Sequence, residues 1–433
     1  MLPGGTAAQT HGASPALHTG ISAYMSRVRQ FTPNARKFLV FQFFLALNSG
    51  IYGVIFNLYL LKLGYHEDFM GVLLGVVFVS SGLMALPAAL LCDHIGRRRT
   101  LLLSSGILAL ALALLYTITT GEMLLFASVL YGMSTGATAV ASSPFMAENS
   151  SREERIHLFS MNSVIMMASS VLGSLAGGMV PGLLASQAIE GSDMVGPYRL
   201  TLYLSLAAAL LTLLPLALIK EKSRPRMKRG EHSRLIIRVA RSRNVQRLVF
   251  VNVLIGIGAG MVVPFFNVYF YTVLNATTGQ IGLIFSIGQI VMVGGLLAIP
   301  ALVGRYGKVR TIALTQLLSI PFLILIGLTT SIFAAAVGYV MRMTLMNMAN
   351  PAISSFNMEI VAEEERATVS SLTQMGWYLF YALSTFSSGI MMSQRHYLLP
   401  FMITCVVYIL AAVAYYAFFL RIEKTAIATA VTA

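Results

Sequence analysis

Charge is scarce in this chain. Asp, Glu, Lys and Arg together make up 11% of its 433 residues, under half the share of an ordinary soluble domain (about 25%). Hydrophobic residues reach 57% and the mean hydropathy is +0.76, which excludes a water-soluble fold. Cysteine is nearly absent: Cys92 and Cys405 stand alone, with no disulfide framework and no metal-ligand spacing. Trp377 is the one tryptophan, and it lies inside an apolar run and not in an interfacial belt. No glycine loop ending in lysine and a hydroxyl residue is present, so ATP is not the energy source. No apolar run holds a histidine and no nucleophile–base pair is legible. We therefore expect no enzyme, no catalytic residue, no metal and no cofactor.

What the chain has is apolar length. Twelve runs, at about 38–61, 68–91, 100–119, 122–146, 158–184, 198–219, 248–272, 279–302, 311–328, 331–355, 368–392 and 397–420, are each long enough to cross about 30 Å of hydrocarbon as a helix. A spanning β-barrel is excluded, because its strands would be short and alternating. The expectation is an all-α polytopic membrane protein. The net charge of +14 does not point to nucleic acid, because the cations fall into alternate loops. One face holds Arg27, Arg29, Arg97, Arg98, Arg99, Arg152, Arg155, Arg305, Lys308, Arg310, Arg366, Arg421 and the basic stretch from Lys220 to Arg247; the other keeps Lys62, Arg199 and Arg395. The positive-inside rule then puts both termini in the cytoplasm and the protein in a plasma (inner) membrane.

Five segments follow. Residues 1–37 read as a disordered cytoplasmic tail, 38–219 as a six-helix bundle, 220–247 as a basic cytoplasmic linker, 248–421 as a second six-helix bundle, and 422–433 as a cytoplasmic tail. Within the linker, Leu235, Arg238 and Arg241 fall at helical spacing, as in a helix lying on anionic headgroups.

The two bundles say one thing twice. Asp93-His-Ile-Gly96-Arg97-Arg98 has a counterpart about 211 residues later in Gly304-Arg305-Tyr-Gly307-Lys308. The same offset carries Glu148 to Glu359, Arg155 to Arg366 and Gly178 to Gly389. An offset shorter by about one residue carries Gly50 to Gly260 and Asn57 to Asn267. Matching membrane halves are the usual plan of a secondary transporter with its site between the repeats.

Asp93-x-x-Gly96-Arg97-Arg98 resembles the signature loop between the second and third spans of the major facilitator superfamily. Ala89 stands for the first glycine of that pattern, and His94 for its first arginine. The acid-then-Glu-Glu-Arg pattern at the inner ends of the fourth and tenth spans is matched by Glu148 with Glu153-Glu154-Arg155, and by Glu359 with Glu364-Glu365-Arg366. The resemblance covers both halves. It implies two pseudo-symmetric six-helix bundles, built on internal repeats, that rock about a central cavity. It also implies a cytoplasmic gate drawn from Asp93, Gly96, Arg97, Arg98, Glu148, Arg155, Arg305, Gly307, Lys308, Glu359 and Arg366. Gly96 and Gly307 suit turns that need positive φ. Asp93 is expected to meet Arg97 or a helix N-terminus, and Glu148 to pair with the loop arginines. Such pairs would latch this face while the cavity opens on the other, and break when it opens here. Gly304 in place of the acid predicts a weaker latch in the second half. Gly173-Ser174-Leu-Ala-Gly177-Gly178 resembles a degraded Gly-Pro-x-x-Gly-Gly element of the family's antiporters, with Ser174 in place of the proline, and small-residue helix packing is the preferred explanation.

Arg342 is the leading candidate for the cavity. An arginine at that depth costs about 2.5–3.5 kcal/mol on insertion scales, so it should face water, a partner or a substrate. No Asp or Glu lies at comparable depth in a run, so it meets hydroxyls such as that of Tyr131 or awaits an anionic group. Asn57 and Asn267, at equivalent positions, bind a polar substrate or each other. Gln289, Asn347, Gln374, Trp377 and Tyr381 complete the candidate substrate-binding set. Proton-linked efflux of amphipathic, drug-like compounds by alternating access is the first functional expectation, with protons carried by Asp93, Glu148 or Glu359. An organic-anion transporter anchored on Arg342 is the alternative, and a non-transporting receptor or scaffold is the rival from another class. The expected partners are a small molecule, protons and membrane lipids, with no nucleic acid, and the protein is expected to be a monomer.

Overall fold

The computed structural model describes residues 31–186, 194–220, 238–239, 241–362 and 365–432. Among the described residues all regular structure is helical. In chain order the helices are α1 (Pro33–Lys62), α2 (Glu67–Ile95), α3 (Arg97–Thr117), α4 (Gly121–Glu148), α5 (Arg152–Ala185), α6 (Val195–Leu211) and α7 (Leu213–Ala217) in the first half. The second half has α8 (Arg243–Val262), α9 (Phe266–Thr272), α10 (Thr278–Tyr306), α11 (Lys308–Leu328), α12 (Ile332–Asn347), α13 (Asn350–Glu359), α14 (Arg366–Ser393) and α15 (Leu398–Thr432). A single 3₁₀ turn, Val263–Phe265, containing Pro264, joins α8 to α9.

Local chemistry sets the ends. The Thr32 hydroxyl accepts from the Ala35 N–H ahead of a first-turn proline, and starts α1. Ser151 with Glu154, and Thr277 with Gln280, form capping boxes at the starts of α5 and α10. Gly96 at φ 88° and Gly307 at φ 83° turn α2 into α3 and α10 into α11. These are the two positive-φ glycines foreseen from the repeat.

Eleven helical segments among the described residues are long and apolar enough to cross a membrane, against twelve expected. The difference is α14. It has 28 residues, but its serines and threonines dilute its hydropathy. The N-terminal segment to Gln30 and most of the basic stretch between the halves, with its expected surface helix, lie outside the described residues.

The halves meet along two seams. In one, α2 packs on α14; in the other, α5 packs on α10. A Cβ on Gly178 would stand 2.9 Å from the Gly282 Cα, and one on Gly389 would stand 2.9 Å from the Gly71 Cα, so both crossings bring backbone against backbone. Both lie near the face opposite the basic loops. The hydrophobic core follows the same division. On that opposite side one cluster draws from both halves, from Val54 to Tyr408. On the basic side the core splits in two: Phe38, Leu101 and Phe145 belong to the first half, and Val245, Val309 and Phe419 to the second. The bundle is thus sealed at the opposite face and parted at the basic face.

Candidate functional site

On the basic side of the second half lies a cavity of about 650 Å³, whose described lining comes from that half alone. It runs from Phe266 and Tyr339 in the middle of the bundle to Met358, Val361 and Arg366 at the basic face. Its lining comes from α8, α9, α12 to α15 and their junctions.

Arg342 sits at its inner end on α12 and is 5% exposed. One guanidinium nitrogen, Nη2, donates to the Tyr408 hydroxyl at 2.8 Å. The guanidinium lies over the Phe266 ring at 5.4 Å and the Tyr408 ring at 5.8 Å, contacts that favour a desolvated cation. Its Nε has no hydrogen-bond partner within the protein. Gly258 makes room for the Tyr408 ring, which a side chain there would overlap. Gly256 likewise lets α8 approach the Trp377 carbonyl, 2.8 Å from where a Cβ would stand.

Around this cation stand amides and rings. Asn347 and Asn252 each donate to the carbonyl four residues back, at 2.8 and 2.9 Å, which fixes their rotamers. The Asn357 Oδ1 is buried without a partner. The Gln374 amide donates to the Tyr378 hydroxyl at 3.3 Å. Trp377 and Tyr381 pack with ring centroids 4.6 Å apart, and Phe78 from α2 lies 4.3 Å from Tyr381. Among the described lining residues Arg342 and Arg366 are cationic, and none is a carboxylate.

Five of the expected residues therefore share one cavity: Arg342, Asn347, Gln374, Trp377 and Tyr381. Four do not. Tyr131 is stacked on Tyr52 at 5.0 Å inside the first half, and Tyr408 takes the role expected of it. Asn57 and Asn267 bind each other at 3.2 Å at the sealed end, where Asn57 also donates to the Pro264 carbonyl at 2.8 Å. Asn267 donates in turn to the Gly53 and Val54 carbonyls. The 3₁₀ turn around Pro264 frees the carbonyl that Asn57 uses. Gln289 reaches Ser174 across the α5–α10 seam at 3.5 Å. Tyr408, Tyr378 and Asn357 were missed. A lone tyrosine or asparagine in an apolar run carries no period that reveals what it faces.

The basic-face residues need a correction. Arg97 pairs with Glu148 at 2.7 Å, and Lys308 pairs with Glu359. Each pair joins helices of one half, and both are formed while the cavity is open on this face. In this structure they brace helices within each bundle. Arg155 and Arg366 do the same work, donating to the carbonyls of Ala147 and Met358 at 2.9 and 3.0 Å. Arg98 donates to the Leu216 and Ala217 carbonyls at 3.1 and 2.7 Å, at the end of α7. Asp93 is exposed, and Glu148 takes the Arg97 partnership expected of it. Arg305 is exposed and lies over its neighbour Tyr306 at 5.3 Å. In the second half, where Gly304 replaces the acid, Glu423 from α15 accepts from the Lys308 and Val309 N–H groups at 2.6 and 3.2 Å.

Comparisons with known proteins agree with this architecture. The family model described as Major Facilitator Superfamily matches residues 38–385 and again 248–431. A search of curated proteins gives no match. Among solved structures, a bacterial homolog of the human lysosomal transporter Spinster, inward-facing and occupied, superposes with TM-score 0.71 at 16% identity, over 91% of this chain and 96% of that one. The nucleoside transporter NupG does so with TM-score 0.72 at 13% identity, over 89% and 99%. A D-xylose-proton symporter gives 0.70 at 13%, over 91% and 98%. At these identities the likeness is one of fold.

Proposed function

This chain belongs to the Major Facilitator Superfamily, and we propose that the small solute it carries is an organic anion with a flat apolar body. The observation that carries the reading is Arg342: a buried cation, held by Tyr408, with its Nε free of protein partners and no carboxylate in the described lining. A buried guanidinium with an open donor gains most from an ionised acceptor. Trp377, Tyr378 and Tyr381 offer a wall for the body of the solute, and stacking suits flat rings. The amides of Asn347, Asn252 and Gln374 would meet polar substituents on the way to the basic face.

We read that face as cytoplasmic, with both termini on it. We count α14 as the twelfth span and take 38–219 and 248–421 as the two bundles. Alternating access then requires the opposite-face seams to open and the basic face to close. Proton-linked export of amphipathic compounds is the second reading, and the aromatic wall is what favours it.

Arg342→Gln in proteoliposomes separates the two. Flux of aromatic carboxylates is expected to collapse while thermal unfolding stays near wild type. Unchanged anion flux, with export of neutral or cationic amphiphiles retained, would sink the anion reading. A receptor or scaffold would carry no flux of either kind.

A further inference from the structure

We propose that a second cavity, on the sealed face, is a binding site for an organic ammonium ion anchored on Glu67, and that a bound ammonium holds that face closed. The site lies apart from the Arg342 cavity and does not depend on the identity of the solute.

Among the described residues two charged side chains are buried, Arg342 and Glu67. Glu67 opens α2 and is 5% exposed. Its Oε1 accepts from the Tyr397 hydroxyl, in the turn before α15, at 2.8 Å. Its Oε2 makes no hydrogen bond with the described residues, and no described Lys, Arg or His forms an ion pair with it. The Tyr397 hydroxyl and the N–H end of α2 are both partners for an anion. A buried carboxylate with one oxygen open gains most from a charged donor.

The wall around Glu67 suits such a donor. The cavity, of about 670 Å³, is lined by Leu61, His66 and Glu67 of the first half, and by Tyr271, Ser393 and Tyr397 among residues of the second. Hydroxyls on this wall spend their one proton inside the protein. Thr272 donates to the Val268 carbonyl at 2.7 Å, Thr277 to Gln280 Oε1 at 3.2 Å and Ser393 to the Ile390 carbonyl at 2.9 Å. Tyr397 donates to Glu67. What these groups leave for the cavity is lone pairs, and a primary ammonium brings three N–H donors to meet them. The Tyr271 ring already carries an ammonium, that of Lys62, at 5.7 Å. A calcium ion fits poorly. It takes about six to eight oxygens, commonly from several carboxylates, and Glu67 is the one carboxylate in the described lining. The other charges nearby, Lys62, His66, Asp68 and Arg395, are exposed, so solvent screens them.

The site is whole only while this face is sealed. The Tyr397 bond to Glu67 crosses between the halves. So does the approach of the Glu67 carbonyl to Gly389 of α14, where a Cβ would stand 2.4 Å from it. Arg395, at φ 66°, ends α14 in a Schellman turn, its N–H bonding to the Met392 carbonyl and that of His396 to the Met391 carbonyl. That turn brings Tyr397 back to Glu67. A ligand that touches both halves here binds the sealed form and not the open one, and so shifts the population toward closure. An ammonium arriving from this face acts as a brake on the cycle.

Calorimetric titration of the purified full chain with n-butylammonium is expected to show one site per chain. Neutral n-butanol, and tetramethylammonium, which has no N–H, should each bind about tenfold more weakly or worse, the worth of a hydrogen bond to a charged group. Glu67→Gln should weaken butylammonium by a similar factor. Ser393→Phe fills the cavity from the end of α14 and leaves Glu67 in place, so it should block binding even if Glu67→Gln disturbs the fold. Arg395→Gln should bind as tightly as wild type or tighter. Thr119 and Thr330 are exposed on this face, one in each half. Spin labels on Thr119→Cys and Thr330→Cys, with Cys92→Ser and Cys405→Ala, report their separation by pulsed electron resonance. At ten times its Kd, butylammonium should raise the closed-to-open ratio about tenfold. Butanol binding as well as butylammonium, affinity unchanged in both Glu67→Gln and Ser393→Phe, or an unchanged closed-to-open ratio would overturn the assignment.

Discussion

Tyr131 and Arg342 occupy the same position in the two halves, each near the middle of its helix, α4 or α12. In the first half the residue is a tyrosine, stacked on Tyr52 and closed into the core. In the second it is a cation bonded to Tyr408 on the lining of the cavity, with its buried Nε lacking a partner. The repeat kept the scaffold and changed the residue, so that one half is packed where the other holds a buried cation at a cavity. The basic-face turns differ in a parallel way. In the first half a cation of the turn, Arg98, caps the carbonyl end of α7. In the second an anion from the last helix, Glu423, caps the amide end of α11. The same joint is secured from opposite ends of a helix dipole.

The comparison is broken hardest at its centre. Arg342→Gln removes a charged hydrogen-bonding group whose loss costs about 1.5–3 kcal/mol, a ten- to hundredfold fall in anion flux. Tyr131→Phe should leave flux near wild type; a flux defect of equal size in both would refute the contrast between the halves. Next comes the amide clasp. Asn267→Ala removes its bonds to Asn57, Gly53 and Val54. It should lengthen the distance between spin labels on Thr119→Cys and Thr330→Cys, exposed residues of the two halves on the sealed face, and an unchanged distance would make the clasp ornamental. Third is the cap. Glu423→Gln keeps the shape but loses the charge at two N–H groups, about 1 kcal/mol, read as a lower thermal midpoint in detergent. Smallest is the brace. Arg97→Gln breaks a partly exposed pair (27% and 19%) worth about 0–1 kcal/mol after solvent screening, and a larger fall in the thermal midpoint would refute that rank.

Much of this was legible from residues alone. The positive-φ glycines at 96 and 307 were readable because a tight turn between two long helices admits few other residues. Arg342 was readable because a charge in an apolar run has nowhere ordinary to go. Asn57 and Asn267 were readable as a pair through the repeat, binding a polar substrate or each other; that they bind each other follows from the depth at which the helices cross. Glu423 and Tyr397 were invisible, since each acts on a residue far away in sequence. Glu67 drew no reading for the same reason: its burial is made by Tyr397 and Gly389 of the other half. Packing within the second half accounts for α14, whose polar face would be a poor guest in lipid yet bonds to α8 through Thr385 to the Gly260 carbonyl at 3.1 Å and Ser388 to the Met261 carbonyl at 2.5 Å.

The glycine crossings carry a consequence for origin. Gly71 of α2 corresponds through the repeat to Gly282 of α10, and Gly178 of α5 corresponds to Gly389 of α14. Gly71 touches Gly389, and Gly178 touches Gly282. The two seams are therefore one contact written twice, the isologous pattern of a two-fold dimer. In an unfused ancestor, a single pair of glycines on one gene would have closed both sides at once. After fusion each copy became free to drift, and at these four positions neither has.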